Sequence, residues 1–228
     1  MAEVATESKT DKSPAANGEA PMNGEQQEAH YQLPDAKALE EAGNLLVRDE
    51  NGNETPFKSL YENQPGRRLC VFVRHFYCGH CEEYVRYLAK HLPPEKLASA
   101  SPPITLTIIG CGDPQCIPDY RTRTMSSLSK PYPIYTDRDR AIYTKLGMIQ
   151  QLGGETKPEY LTTSVTSSVV SSLKNIITSG PKGFKGGNYS QNGGEWLFED
   201  GELKWVRRMR NSADHALIEE LRDALGMQ

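Results

Sequence analysis

The chain has 228 residues, 37% of them hydrophobic, and a formal net charge of −4. The first 33 positions hold six acidic and two basic residues, so the remainder is formally neutral and lacks the basic excess that nucleic-acid binding needs. Five cysteines are too few, and odd in number, for a secreted disulfide scaffold, and no run reaches the roughly 18 apolar residues of a membrane-spanning helix.

Residues 1–32 are rich in Glu, Ala, Gly, Ser, Asn and Gln and read as a disordered acidic tail, because they cannot bury enough apolar surface to offset ordering entropy. The opening Met1-Ala2-Glu3-Val4 has neither the basic nor the apolar region of a signal peptide. The expected setting is therefore the cytosol or nucleus, where thiols stay reduced, with no membrane partner. One globular domain is expected over 33–228. Its first elements are a short helix over 35–42, a strand at Leu45–Val47, a turn at Asp49–Asn53 and a helical turn near Phe57–Tyr61.

The apolar, β-branched and aromatic run Leu69-Cys70-Val71-Phe72-Val73 reads as a buried strand. It leads through Arg74-His75-Phe76-Tyr77 into Cys78-Gly79-His80-Cys81. From Glu82 the period becomes helical, with Tyr84, Val85, Leu88 and Leu92 on one face, and Pro93-Pro94 stops the helix. Two cysteines thus stand where a strand feeds a helix. There, unpaired N–H groups and the positive dipole end favour a thiolate.

Ile104–Ile109 reads as a second strand, parallel to the first through a right-handed crossover. Cys111 and Cys116 follow it, ahead of a helix through Tyr120 to about Leu128. A short strand at Pro133–Tyr135 and a helix over 139–146 closed by Gly147 come next. Residues 162–178 carry one apolar face and read as an amphipathic helix, and 180–194 as a glycine-rich loop. A hairpin about Asp200-Gly201 joins strands over 195–199 and 203–209. A helix over 213–225 closes the chain.

This alternation is that of an α/β, thioredoxin-like fold: a central mixed sheet flanked by helices. The stretch from Asp49 to Leu60, then Arg68 to Cys81, resembles the opening of AhpC/TSA-class peroxiredoxins. Arg74–Cys78, Ile108-Ile109-Gly110, Ile134-Tyr135-Thr136-Asp137, Ile142–Met148 and Gly193-Gly194 resemble the peroxiredoxin-like 2 subfamily. The resemblance covers roughly residues 33–228. It implies a thiol-dependent antioxidant oxidoreductase acting on peroxides or oxidised thiols, supplied by thioredoxin or glutathione, with no metal or organic cofactor.

Within that reading Cys78 and Cys81 are the catalytic candidates. In a C-x-x-C pair the N-terminal cysteine normally attacks and the second resolves the mixed disulfide. The peroxiredoxin pattern Pro-x-x-x-Thr-x-x-Cys, laid on this chain, instead puts Cys81 in the attacking place, Cys78 in the threonine place and Arg74 in the proline place. Arg74, His75 and His80 are the auxiliary candidates: Arg74 for positive charge, the histidines to tune a thiolate, with a backbone-bonded His75 as the alternative. Cys111 and Cys116 are possible extra resolving thiols, read first as ordinary loop or surface thiols, and Cys70 as a core residue. A zinc site from Cys78, Cys81, Cys111 and Cys116 is disfavoured by the wide second spacing. Gly193 stands where thioredoxins place a cis-proline, leaving backbone free to approach a substrate. The cluster Arg207-Arg208-Met209-Arg210 reads as a solvated edge strand. A non-catalytic interaction module or redox sensor is the alternative function.

Overall fold

The computed structural model of the chain describes residues 29–148, 158–161, 177 and 185–227. The expected tail up to residue 28, all but residue 177 of the helix expected over 162–178, and positions 180–184 of the glycine-rich loop expected over 180–194 lie outside the described residues. Ahead of Leu33, residues 29–31 form a helical turn with His30 buried, and the Arg208 guanidinium donates to the carbonyls of Ala29 and Gln32 at 3.1 and 2.7 Å.

In chain order the elements are α1 (Ala36–Asn44), β1 (Leu46–Arg48), β2 (Glu54–Pro56), a 3-10 turn at Phe57–Leu60, β3 (Arg67–Phe72), α2 (Gly79–His91), α3 (Pro94–Ala98), β4 (Ile104–Gly110), α4 (Ile117–Met125), β5 (Ile134–Thr136), α5 (Ala141–Lys145), β6 (Gly194–Glu199), β7 (Glu202–Arg208) and α6 (Ile218–Ala224). The described strands form one mixed sheet, ordered β2-β1-β5-β4-β3-β6-β7. β3, β4 and β5 run parallel, while β6 pairs antiparallel with β3, and β1 with β5.

The period of two along β3 divides the core. Leu69 and Val71 face one layer, where Val85 and Leu88 of α2, Ile117 and Tyr120 of α4, and Leu221 and Leu225 at the C-terminal helix cover the sheet. Cys70 and Phe72 face the other, packed with Phe57, Ile142, Tyr143, Trp196 and Phe198. This is the thioredoxin-like architecture expected from the alternating pattern.

The start of the closing helix is corrected, and two details sharpen the rest. The central helix starts at Gly79, with the C-x-x-C on its first turn as expected, because Cys78 caps it: the Cys78 sulfur accepts from the Cys81 N–H. Pro94 opens a further short helix at a position where a missing N–H costs nothing. The closing helix starts at Ile218, because the preceding stretch is held by side chains: Ala213 N–H donates to Asn211 Oδ1 at 2.9 Å, and Asp214 is gripped by two arginines.

Candidate active site

The parallel strands end on one edge of the sheet, and β3 delivers the C-x-x-C segment there. Tyr143 fixes that end, its hydroxyl lying 2.7 Å from the Val73 carbonyl and 2.9 Å from that of Ile109. The chain then turns through buried Phe76 and Tyr77 into the first turn of α2. Phe76 N–H donates to Gly186 O at 3.0 Å, so segment 185–191 lies across the site.

Cys78 and Cys81 come together as two thiols, Sγ to Sγ 2.9 Å, with Cys81 as donor. Two further donors converge on the Cys78 sulfur: the Cys81 N–H at 3.3 Å and Arg74 Nη1 at 3.4 Å. Burial is the largest influence on Cys78 and would raise its pKa. The hydrogen bond from Cys81 and the Arg74 charge, with smaller contributions behind them, outweigh burial and hold the thiol well below its ordinary value. Capping the 13-residue α2 adds the positive end of the helix. Cys81 shifts the opposite way, raised by burial and by the neighbouring Cys78 sulfur it donates to. The pair is therefore polarised, with Cys78 the more acidic of the two thiols.

Arg74 does more than supply charge. Its Nε donates to Gln191 O at 3.1 Å, Nη2 donates to Tyr189 O, and its backbone N–H points at Cys81 Sγ at 3.4 Å. It thus ties segment 189–191 over the thiols. His75 is 3% exposed, and burial lowers its pKa to about 4, so the ring is neutral near pH 7 and Arg74 carries the local positive charge. Its Nδ1 accepts from Tyr77 N–H at 3.3 Å, which is the backbone-bonded alternative weighed above. Tyr189, 41% exposed, stands edge-on to the His75 ring at the mouth.

The other candidates fall elsewhere. His80 turns its Nδ1 to Ser212 O, 3.2 Å away, and does not serve Cys78 as expected. Cys111 and Cys116 are buried, not surface thiols. Cys111 donates to Arg74 O at 2.9 Å and burial raises its pKa to about 11, while Cys116 lies 4.0 Å from the Tyr77 hydroxyl. Cys70 is a core thiol, raised by burial to about 12. Among the described residues no group of three or more His, Cys, Asp or Glu side chains is placed to hold a metal ion. Gly193 does not open the backbone to a substrate: a Cβ there would overlap the Phe72 carbonyl oxygen, so glycine is needed to pack β6 onto β3.

The arginine cluster is also corrected. Arg207 is 6% exposed and pairs with Asp214 at 2.8 Å and Glu220 at 3.1 Å. Arg208 covers the Trp196 ring at 5.0 Å, and Arg210 reaches Asp214 at 2.8 Å. Beside them Glu195 and His215, both fully buried, meet at 2.7 Å, the imidazole stacked on Tyr84.

Sequence reasoning missed Glu82. It is 4% exposed and binds Arg123 at 2.8 Å, while Arg123 also donates to Phe76 O at 2.7 Å. Burial raises the Glu82 pKa against the opposing pull of Arg123. The clamp joins α2, α4 and the turn before Cys78. A glutamate one residue after the C-x-x-C was its sole signal.

A thioredoxin-like sheet with two adjoining thiols at the mouth of its central helix defines a protein of thioredoxin-like fold that carries a dithiol where its first parallel strand feeds that helix. Residues 91–211 match the AhpC/TSA antioxidant enzyme family. The chain is 32% identical over 187 residues to human peroxiredoxin-like 2C, covering 81% of this chain and 78% of the relative. It is 30% identical over 193 residues to peroxiredoxin-like 2C of Takifugu rubripes, covering 83% and 82%. The chain belongs to the AhpC/TSA family, in its peroxiredoxin-like 2 subfamily. A solved thiol peroxidase from Chromobacterium violaceum aligns at a TM-score of 0.49 and 11% identity over 80% of this chain and 82% of its own, too distant to bear on the site.

Proposed function

We propose that the chain is a thiol-dependent oxidoreductase in which Cys78 attacks and Cys81 resolves. The observation that carries this reading is the polarised pair, with three hydrogen-bond donors on Cys78 and a raised pKa on Cys81. The Cys78 thiolate displaces one oxygen of a peroxide O–O bond, becoming a sulfenic acid while the leaving oxygen departs as an alcohol or water after taking a proton. Cys81 sulfur then attacks Cys78 sulfur and expels water. Closing a bond of about 2.05 Å from the 2.9 Å contact requires a shift of less than about 1 Å. Attack on an oxidised thiol follows the same order, with a thiolate leaving instead of water. Two electrons and two protons from a thiol donor, the thioredoxin or glutathione system, restore the pair. No metal or organic cofactor enters this cycle, and the reducing cytosol or nucleus is the matching compartment. Residues 33–228 form the redox domain behind the acidic tail.

The test is single-turnover oxidation of the reduced chain by hydrogen peroxide, followed by fluorescence of Trp196 and Trp205. Cys78→Ser should abolish the fast phase, and Cys81→Ser should retain it and accumulate a trappable sulfenic acid at Cys78. A fast phase that survives in Cys78→Ser and disappears in Cys81→Ser would reverse the assignment.

The near-complete burial of both cysteines, 3% and 0% exposed, favours a second reading, a fold kept for binding with the cysteines as sensors. Wild-type oxidation no faster than that of an unactivated thiol would select it.

A further inference from the structure

An open cleft of about 350 Å³ lies on the same sheet edge as the thiol pair, but beyond the ends of β4 and β5. Its volume falls within the range of small-ligand sites, and the carboxyl ends of parallel strands are where open α/β sheets bind ligands. Arg138, Arg140 and Lys185 line it, with Asp113 as the acidic member and Cys111 on the wall.

The positive charge there is largely uncommitted. Arg138, with its side chain 57% exposed, reaches Asp113 at 3.9 Å, an outer-limit ion pair. The Asp113 carboxylate already accepts from Gln115 N–H at 3.0 Å. Asp137 turns its carboxylate to the N–H groups of Ala141 and Ile142, at 3.2 and 2.7 Å. Neither Arg140 nor Lys185 makes an ion pair with a described residue.

Arg140 adds a second, independent observation. It sits at φ 59°, the left-handed region that favours glycine or asparagine. The turn into α5 thus carries a long cation at a backbone position that disfavours it, and such strain collects at functional sites.

We propose that this cleft binds the carboxylate or phosphate group of a small anionic ligand, with Arg138 and Arg140 as the principal donors and Lys185 as a third positive charge. Two guanidinium forks match the paired oxygen acceptors of such groups better than ammonium charges alone. The proposal concerns the cleft itself and holds whether or not the thiols turn over.

The reduced full chain, labelled with nitrogen-15, would be titrated with inorganic phosphate and separately with citrate, against sodium chloride of matched ionic strength. Saturable shifts in the amides of Gly112, Arg140 and Gly187, absent with chloride, are expected for at least one anion. Phosphate alone would assign a phosphate group, and citrate alone a carboxylate. Arg140→Gly should weaken binding about tenfold, the loss of one charge-assisted contact, while leaving the melting temperature equal or higher because the strain is relieved. Cys78→Ser should bind as the wild type does, which separates this site from the redox reading. Shifts that fail to saturate with both anions, or an affinity that Arg140→Gly leaves unchanged, would overturn the proposal.

Discussion

The thiol end of α2 and the arginine end of β7 both bury charge, and they treat it in opposite ways. At the β7 end two of the three arginines have fixed counter-charges: Arg207 faces Asp214 and Glu220, and Arg210 faces Asp214. Burial would raise the Asp214 pKa, but Arg210 and Arg207 outweigh it and hold the carboxyl at about 2. At the thiol end Arg74 has backbone carbonyls and a sulfur for partners, and its counter-charge exists only while Cys78 is ionised. A covalent step at Cys78 would remove that charge, whereas Asp214 keeps its charge until the pH falls toward 2. A buried ion marks a reactive group when its partner can be consumed, and a structural one when it cannot.

The largest effect expected from this contrast is in stability at the β7 end. Asp214→Asn keeps the shape but leaves Arg207 with Glu220 alone as a counter-charge, and breaking a buried pair of this kind costs about 3 kcal/mol. Denaturant unfolding at pH 7 measures it. A loss under about 1 kcal/mol would mean that Glu220 suffices for Arg207 and that the two ends are less different than their geometry implies.

Each end also holds one histidine forced neutral. His75 and His30 are both lowered from 6.5 to about 4, chiefly by burial, with nearby arginine charge adding to it. Between those values the unfolded chain binds more protons than the folded one. Stability is therefore full above about pH 6.5 and falls as the pH drops toward 4, by up to roughly 3 kcal/mol for each ring. The Asp214 contribution has a separate window, persisting down to about pH 4 and disappearing as the pH falls toward 2. His75→Asn, which retains an acceptor for Tyr77 N–H, should remove about half of the slope between pH 6.5 and 4. An unchanged slope would show that His75 is protonated in the folded chain beside the Cys78 thiolate.

What the sequence disclosed follows the same division. The C-x-x-C, the strand before it and the helix after it were legible because period and spacing are local. The arginines at the end of β7 were misread as a solvated edge because their acidic partners stand 4 to 13 positions further on, Asp214 in a loop with no period of its own and Glu220 on α6. Glu82 escaped notice because Arg123 lies on another helix. Even at the thiol pair, sequence left open which cysteine attacks. The proposed order, Cys78 first, rests on where the Arg74 guanidinium points, and that is set by the carbonyls of Tyr189 and Gln191 far along the chain.

Arg74→Gln sharpens the contrast from the thiol side, with a smaller expected effect. Removing the cation should raise the Cys78 pKa by at least about one unit, moving the midpoint of its iodoacetamide alkylation against pH upward by the same amount. Arg74→Lys, which keeps charge but not the fork, should fall between the two. Equal midpoints in all three would mean that the helix terminus and the Cys81 donors ionise Cys78 without Arg74.

The smallest effect separates charge from burial within one cluster. Arg207 and Arg210 bind the same Asp214 carboxylate at 2.8 Å, but their side chains are 7% and 39% exposed. If distance alone set the strength, losing either would cost the same. Water screens Arg210 and solvates it when it is free, so Arg210→Ala should cost under about 1 kcal/mol, well below the loss in Asp214→Asn. It should also raise the Asp214 pKa, moving the acid unfolding transition toward higher pH. A cost equal to that of Asp214→Asn would show Arg210, the more exposed arginine, to be the one that holds Asp214 in place.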